Sequence, residues 1–258
     1  MRSKKVARET FGRVSDLYEK SRVSYPLQLI EDILSFSGMS KKGKILDVGC
    51  GSGQLTVLFA QKGFDIIGLD ISRDMIVIAQ KKCLKLPNAD FKIGSFEEAQ
   101  FPSETFDLII SGMAWHWVTS EDRYDKAHQI LKKDGTVALC WSYQYGETEF
   151  RQEVGKILDK YGKSEGQTGP KIPFYAASAY EDLKKNSLFR SVIRKEYKED
   201  IIFSKEKYLN LVLTYHWVQL LPKNKRNELM NDFQRLYKCY GEPLTIPYNY
   251  ILILAKKK

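Results

Sequence analysis

The stretch Ile45-Leu46-Asp47-Val48-Gly49-Cys50-Gly51-Ser52-Gly53-Gln54-Leu55-Thr56 decides the fold. It opens as a short β-prone run and meets three glycines spaced G-x-G-x-G. A helical pattern then runs from Gln54 to Lys62, stopped by Gly63. Glycine accepts positive φ and carries no Cβ, so a strand ending this way can turn sharply and let a ligand approach its backbone. The helix that follows offers N–H groups without intrahelical partners, a favourable place for an anionic group. A dinucleotide loop reads G-x-G-x-x-G and needs glycine at 54, where Gln54 stands. Asp47, just ahead of Gly49, is a poor neighbour for a pyrophosphate and a good one for a cationic amine. Asp47 with Gly49, Cys50, Gly51, Ser52, Gly53 and Gln54 therefore predicts a loop for a ligand bearing both an amine and a carboxylate. Cys50 reads there as a small packing residue, not a nucleophile.

Around this loop, from Lys44 to Ser142, short apolar runs alternate with amphipathic ones. Lys44–Val48, Asp65–Leu69, Phe91–Ile93, Phe106–Ile110 and Thr136–Trp141 read as strands. Ser72 is a good N-cap for a helix carrying Met75, Ile76, Ile78, Ala79 and Cys83 on one face. A further helix spans Ser120–Lys132 and closes at Asp134-Gly135. Strands alternating with helices are βαβ units, hence an α/β chain with a doubly wound parallel sheet. Such sheets bind ligands beyond the carboxyl ends of their strands, at the switch in strand order. Ahead of this core, Val6–Ser37 reads as two helical stretches broken at Tyr25-Pro26. Behind it come a helix over Thr148–Tyr161, a loop over Gly162–Pro173 and a β-prone run over Phe189–Phe203. Helices over Lys205–Trp217 and Lys223–Cys239 and a strand over Thr245–Ala255 complete the chain. The organisation expected is one domain: an N-terminal helical cap (1–40), a ligand-binding core (41–142), and cap helices with closing strands (143–258).

The 258 residues are 43% apolar, 28% charged and 12% aromatic, which excludes disordered, collagen-like and repeat-array classes. No apolar stretch approaches the ~18 residues that span a bilayer. The basic start Met1–Lys5 has no apolar run behind it, which predicts no secretory leader. Four scattered cysteines, without a C-x-x-C pair or a histidine cluster, predict neither disulfide framework nor structural metal, and fit a reduced cytoplasm. The net charge of +9 speaks to anion attraction and not to fold. A solvated basic surface is favoured over a nucleic-acid footprint.

Asp70 closes the second strand, where a carboxylate can accept from both hydroxyls of a ribose. Amine, carboxylate and ribose together point to S-adenosyl-L-methionine. Residues 11–142 indeed resemble a class I S-adenosylmethionine-dependent methyltransferase. Ile45–Gly53 is similar to that family's first motif and Gly68-Leu69-Asp70-Ile71-Ser72 to its second. Gly94-Ser95-Phe96-Glu97-Glu98 resembles the adenine-reading segment after the third strand. Phe106-Asp107-Leu108-Ile109-Ile110-Ser111 resembles the fourth-strand motif. Trp115-His116-Trp117, and Phe11, Tyr18, Arg22 and Tyr25-Pro26 near the start, are similar to the small-molecule subgroup that includes trans-aconitate methyltransferase. The resemblance implies a Rossmann-like seven-stranded sheet whose last strand is antiparallel, capped by helices. It implies cofactor contacts from Asp70, Ile71, Ser95 by its side chain, Phe96 by its backbone, and Ser111. Many relatives carry aspartate where Ser95 stands.

Several positions admit two roles. Met75 is either core or an adenine contact, and Arg22 either meets the cofactor carboxylate or lies on the surface. Of Trp115 and Trp117, one should line the pocket for substrate and the other fill core. His116 is the candidate general base, or else a histidine tied to backbone; His128 reads as structural. Tyr18 and His216 are candidates on the substrate side. Ser111-Gly112-Met113-Ala114 is not the Asn/Asp-Pro-Pro-aromatic tetrad of exocyclic base amine methylation, and no cysteine beside proline suits cytosine-C5 chemistry. No acid cluster marks a metal-dependent site. The function expected is methyl transfer to a small-molecule acceptor, at a carboxylate or hydroxyl oxygen. An RNA or protein substrate, or a catalytically silent cofactor-binding protein, are the alternatives.

Overall fold

The computed structural model describes residues 17, 21–161 and 171–258. Tyr18 and all of the first expected N-terminal helix except Leu17 and residues 21–24 lie outside the described residues, as does the side chain of His216. The described chain runs α1 (Leu27–Ser37), β1 (Lys44–Val48), α2 (Gln54–Gln61), β2 (Asp65–Asp70), α3 (Arg73–Lys82), β3 (Ala89–Ile93) and β4 (Phe106–Gly112). A single 3-10 turn (Trp115–Trp117) follows, then α4 (Arg123–Ile130), β5 (Leu131–Gln144), α5 (Glu149–Lys160), α6 (Lys171–Lys185) and β6 (Phe189–Phe203). The chain ends with α7 (Lys205–Leu213), α8 (His216–Gln219), α9 (Lys223–Tyr240) and β7 (Leu244–Lys257).

The seven strands form one sheet in the order β3-β2-β1-β4-β5-β7-β6. The pairs among β1 to β5 are parallel, and β7 runs antiparallel to both its neighbours. Successive side chains of a strand point to opposite faces, and this alternation divides the core in two. Ile45, Leu108, Ile110, Ala138, Cys140, Leu252 and Leu254 pack with α1, α2, α5, α7, α8 and α9 on one face. Leu46, Ile109, Val137, Leu139, Trp141, Ile251 and Ile253 pack with α4 and α6 on the other. The order reverses around β1 and β4, so the glycine loop after β1 and the Trp115–Trp117 turn after β4 share the carboxyl edge of the sheet, where ligands bind in such folds.

Three local expectations are corrected. Of the loop expected over Gly162–Pro173, residues 162–170 lie outside the described residues, and its last three are already helix, since α6 begins at Lys171 and proline is tolerated in a first helical turn. Asp134-Gly135 does not close a helix: α4 ends at Ile130, and Leu131 already pairs with Phe106 in the long β5. Asp134 has φ +62 and the register shifts beside it, so the dipeptide bends a strand. The helix expected over Lys205–Trp217 breaks after Leu213 into α7 and the short α8. No helix among the described residues is long and apolar enough to cross a membrane.

Candidate active site

Between β1 and α2 the chain turns through Gly49, Gly51 and Gly53, whose φ angles are +69, +53 and +77. A Cβ on Gly49 would sit 2.3 Å from the Ala114 Cβ, so this glycine lets the two carboxyl-edge loops close on each other. Gly51 differs: its left-handed backbone faces open space, with nothing within 4 Å of a Cβ position. Gly53 caps α2 without a side-chain hydrogen bond, which leaves the first-turn N–H groups of Gln54 and Leu55, both lining the larger cavity, to a ligand. Backbone N–H groups of Gly49 and Cys50 donate to Leu69 O at 2.8 and 3.1 Å, pinning the loop to β2.

Two adjoining cavities open along this edge and share Gly49, Gly51, Gly112, Met113 and Trp117. The smaller, about 120 Å³, is lined by Asp70, Ile71, Met75, Ser95, Phe96 and Glu97 among others. The larger, about 340 Å³, takes in Arg22, Asp47, Cys50, Ser52, Gln54, His116 and a ring of aromatic side chains from the C-terminal half. Met113, between them, has φ +58 and its sulfur accepts from the Ser142 N–H at 3.0 Å. A non-glycine residue in this region is strained, as functional loops often are.

Asp70 accepts from Gly51 N–H (2.9 Å) through one oxygen and from Ser72 N–H (2.8 Å) through the other. A carboxylate has about four lone-pair positions, so it can tie the loop together and still accept from a ribose. Asp47 is buried; its Oδ2 accepts from the Thr56 hydroxyl at 2.7 Å and its Oδ1 has no partner among the described residues. Burial raises its carboxyl to about 7, the Thr56 hydrogen bond opposing and the Asp70 charge adding. Ser52 Oγ is likewise buried without a partner among the described residues. Buried polar atoms ordinarily find partners. Two such orphans lining one cavity beside an open glycine cradle fit a ligand with an ammonium and hydroxyl or carboxylate groups, as S-adenosylmethionine has.

The remaining candidates divide. Ser95 is committed to its own turn, donating to Glu98 Oε2 (3.1 Å) and accepting from Glu98 N–H (3.2 Å), though it lines the smaller cavity. Ser111 reaches neither cavity: its buried hydroxyl donates to Val48 O at 2.8 Å and staples β4 to β1, while Gly112 faces the site instead. Gly53 shapes the turn against Ala79 and lines neither cavity. Trp115 is core, packed against Phe96 and Tyr124, whereas Trp117 lines both cavities. His116 lines the larger cavity, stacks on Tyr175 (4.4 Å, 8°) and accepts at Nδ1 from the Trp141 indole N–H (3.2 Å). His128 meets Phe189 edge-on, away from the site.

The larger cavity also gathers residues that no sequence pattern marked: Gln144, Arg151, Tyr208, Tyr215 and Tyr248. They come from β5, α5, α7, the turn before α8, and β7. Burial pushes the phenols of Tyr208, Tyr215 and Tyr248 up, so they stay protonated donors at neutral pH. Arg151 donates to Gly146 O at 2.8 Å, and the Arg22 guanidinium lies 5.9 Å from the Tyr215 ring centre.

Residues 45–135 match the model of a methyltransferase domain. An uncharacterized methyltransferase of Schizosaccharomyces pombe is 25% identical over 227 residues, 86% of this chain and 84% of that protein. A Saccharomyces cerevisiae protein named "Probable S-adenosylmethionine-dependent methyltransferase" is 31% identical over 160 residues; the match spans 59% of this chain and about half, 53%, of that protein. The solved structure of an Anaeromyxobacter dehalogenans protein assigned as a type II methyltransferase superposes with a TM-score of 0.67 at 17% identity. That match covers 92% of this chain and 97% of the other, and it shows a shared fold. The glycine loop, the strand order with its antiparallel β7 and the matched domain agree: residues 45–135 carry a methyltransferase domain, and the chain around it is similar to S-adenosylmethionine-dependent methyltransferases.

Proposed function

We propose that the chain transfers a methyl group to an oxygen, carboxylate or hydroxyl, of a small-molecule acceptor. The smaller cavity is assigned to adenine and ribose, with Asp70 accepting from the ribose and Ile71, Met75 and Phe96 flanking the base. Asp47, Ser52 and the glycine loop hold the amino acid portion. The bound cofactor supplies an electrophilic methyl on a sulfonium. The observation that carries the acceptor class is the larger cavity: about 340 Å³, enclosed by α5, α7, α9 and β7, and lined largely by aromatic and apolar side chains. Part of that volume serves the cofactor, and what remains suits a small acceptor. Trp117, Tyr208, Tyr215 and Tyr248 exclude water and fix the acceptor's orientation, a contribution that reaches ~7–11 kcal/mol when two reactants are held in line. The four free thiols fit a reducing compartment, the cytoplasm.

The test is a transfer assay with methyl-labelled cofactor against separate metabolite, RNA and protein fractions. Label in small molecules is expected. Label confined to RNA or protein, or binding without any transfer, would replace this reading.

A further inference from the structure

The two cavities at the carboxyl edge of the sheet meet at five residues: Gly49, Gly51, Gly112, Met113 and Trp117. Three of these are glycines, so among the described residues Met113 and Trp117 supply the side chains at the junction. S-adenosylmethionine joins its ribose to its amino acid chain through one atom, the sulfonium sulfur. With ribose in the smaller cavity and the amino acid portion in the larger, that sulfur and the methyl it carries belong where the cavities meet.

Met113 holds its place in this junction against its own backbone preference. Its φ of +58 lies in the left-handed region, where glycine is unstrained and a residue with a Cβ is not. Backbone and side chain are both tied to β5. The Met113 N–H donates to Cys140 O at 2.8 Å, and its sulfur accepts from the Ser142 N–H at 3.0 Å. The side chain therefore reaches from the end of β4 to β5, and Ser142 at its far end also lines the larger cavity. It packs as well against the core on the α4 and α6 face. Glycine at 113 would relieve the backbone and leave the place of the thioether empty. A strained residue whose side chain is anchored at its tip points to a use for that side chain.

We propose that Met113 is a specificity-determining residue whose anchored thioether walls the space beside the sulfonium and limits the group carried there to one the size of a methyl. The proposal rests on the assignment of adenosine to the smaller cavity and the amino acid portion to the larger. Trp117 closes the junction with a rigid ring, and Met113 closes it with a flexible chain that the Ser142 amide holds still. Interiors filled in this way resist added carbons, because neighbours must move to admit them.

The test is binding to the full chain and needs no acceptor. Titration calorimetry compares S-adenosylmethionine, S-adenosylhomocysteine and an analogue with an allyl group in place of the sulfonium methyl. The wild type should bind the allyl analogue roughly ten- to a hundredfold more weakly than S-adenosylmethionine, the usual penalty for overfilling a packed site. In Met113→Gly that gap should shrink to about threefold or less. Affinity for S-adenosylhomocysteine, which carries no group there, should stay within about threefold of the wild type. Met113→Leu keeps the volume and should still reject the analogue. Met113→Ala repeats the experiment with a shortened side chain, and circular dichroism checks that each variant is folded. Equal binding of the methyl and allyl cofactors by the wild type overturns the proposal. So does continued rejection of the analogue by both shortened variants, or an equal loss of all three ligands in them. A wild-type chain that binds neither S-adenosylmethionine nor S-adenosylhomocysteine would remove the cofactor assignment, and the proposal with it.

Discussion

Burial lifts the Asp47 carboxyl from 3.8 to about 7, which couples this one residue to both stability and binding. Its folded value lies above its unfolded value, so the folded free protein prefers the protonated form. The stabilisation from Asp47 is complete below about pH 4 and is lost as pH rises through about 7. A cofactor ammonium beside Oδ1 reverses the preference and favours the carboxylate. Affinity for S-adenosylmethionine should then fall by about tenfold per unit as pH drops below 7, measured by titration calorimetry between pH 6 and 8. Asp47→Asn should bind more weakly with a flat pH profile, yet melt higher than the wild type at pH 8 without ligand. A variant that keeps the wild-type pH dependence would remove Asp47 from this role. The two tryptophans of the turn separate just as cleanly. Trp115→Ala opens a cavity in the core beside Phe96 and Tyr124 and should cost about 3–5 kcal/mol in denaturant unfolding. Trp117→Ala, at a side chain lining both cavities, should change KM while leaving unfolding within about 1 kcal/mol.

At the scale of elements, the wall opposite the glycine loop is made of pieces distant in sequence. Residues 21–26, α7, the turn after it and α8 place Arg22, Tyr25, Tyr208, Tyr215 and Trp217 over it. Their contacts close on whatever the cavity holds, so ligand should suppress local opening there. Amide hydrogen exchange in 21–26 and 205–219 is expected to slow on adding S-adenosylhomocysteine, while the strands β1 and β4 change little. Equal exchange with and without ligand would mean a rigid open site. The contrast between loop and wall also explains what the sequence made legible. The glycine loop is a local demand, three residues at positive φ between a strand and a helix, so it is written in consecutive residues. The sheet follows from alternating apolar runs. Arg151, Gln144 and the three tyrosines converge only through packing of separate elements, and nothing at their own positions announces it. The sequence left open which of Trp115 and Trp117 lines the pocket for a related reason: in a 3-10 turn, not a strand, facing direction does not follow simple alternation. Asp134-Gly135 and Pro173 misled because each residue type has two meanings, a helix stop or a strand bend, a loop or a first helical turn.

At the scale of the whole molecule, the excess of positive charge must be weighed by where it lies. The edge strand β6 exposes Arg190, Arg194, Lys195 and Lys198, but interleaves them with Glu196, Glu199 and Asp200. Arg190 pairs with Asp134, Arg194 with Glu196, and Lys195 with Asp32 at 3.0 Å. Mixed charge along an edge strand guards it against pairing with another chain, and paired cations have few charges left for a phosphate backbone. Transfer to a small acceptor should therefore depend weakly on salt. Between 50 and 200 mM potassium chloride, kcat/KM is expected to change by less than about fivefold, because among the described residues Arg22 and Arg151 are the cations lining the cavity whose screening enters. An RNA substrate held by six to ten phosphate contacts would lose ~10³–10⁵ in affinity over the same range. Initial rates at subsaturating acceptor across that series distinguish the two: a shallow slope supports the enclosed small-molecule site, and a steep one would assign the basic surface to substrate binding.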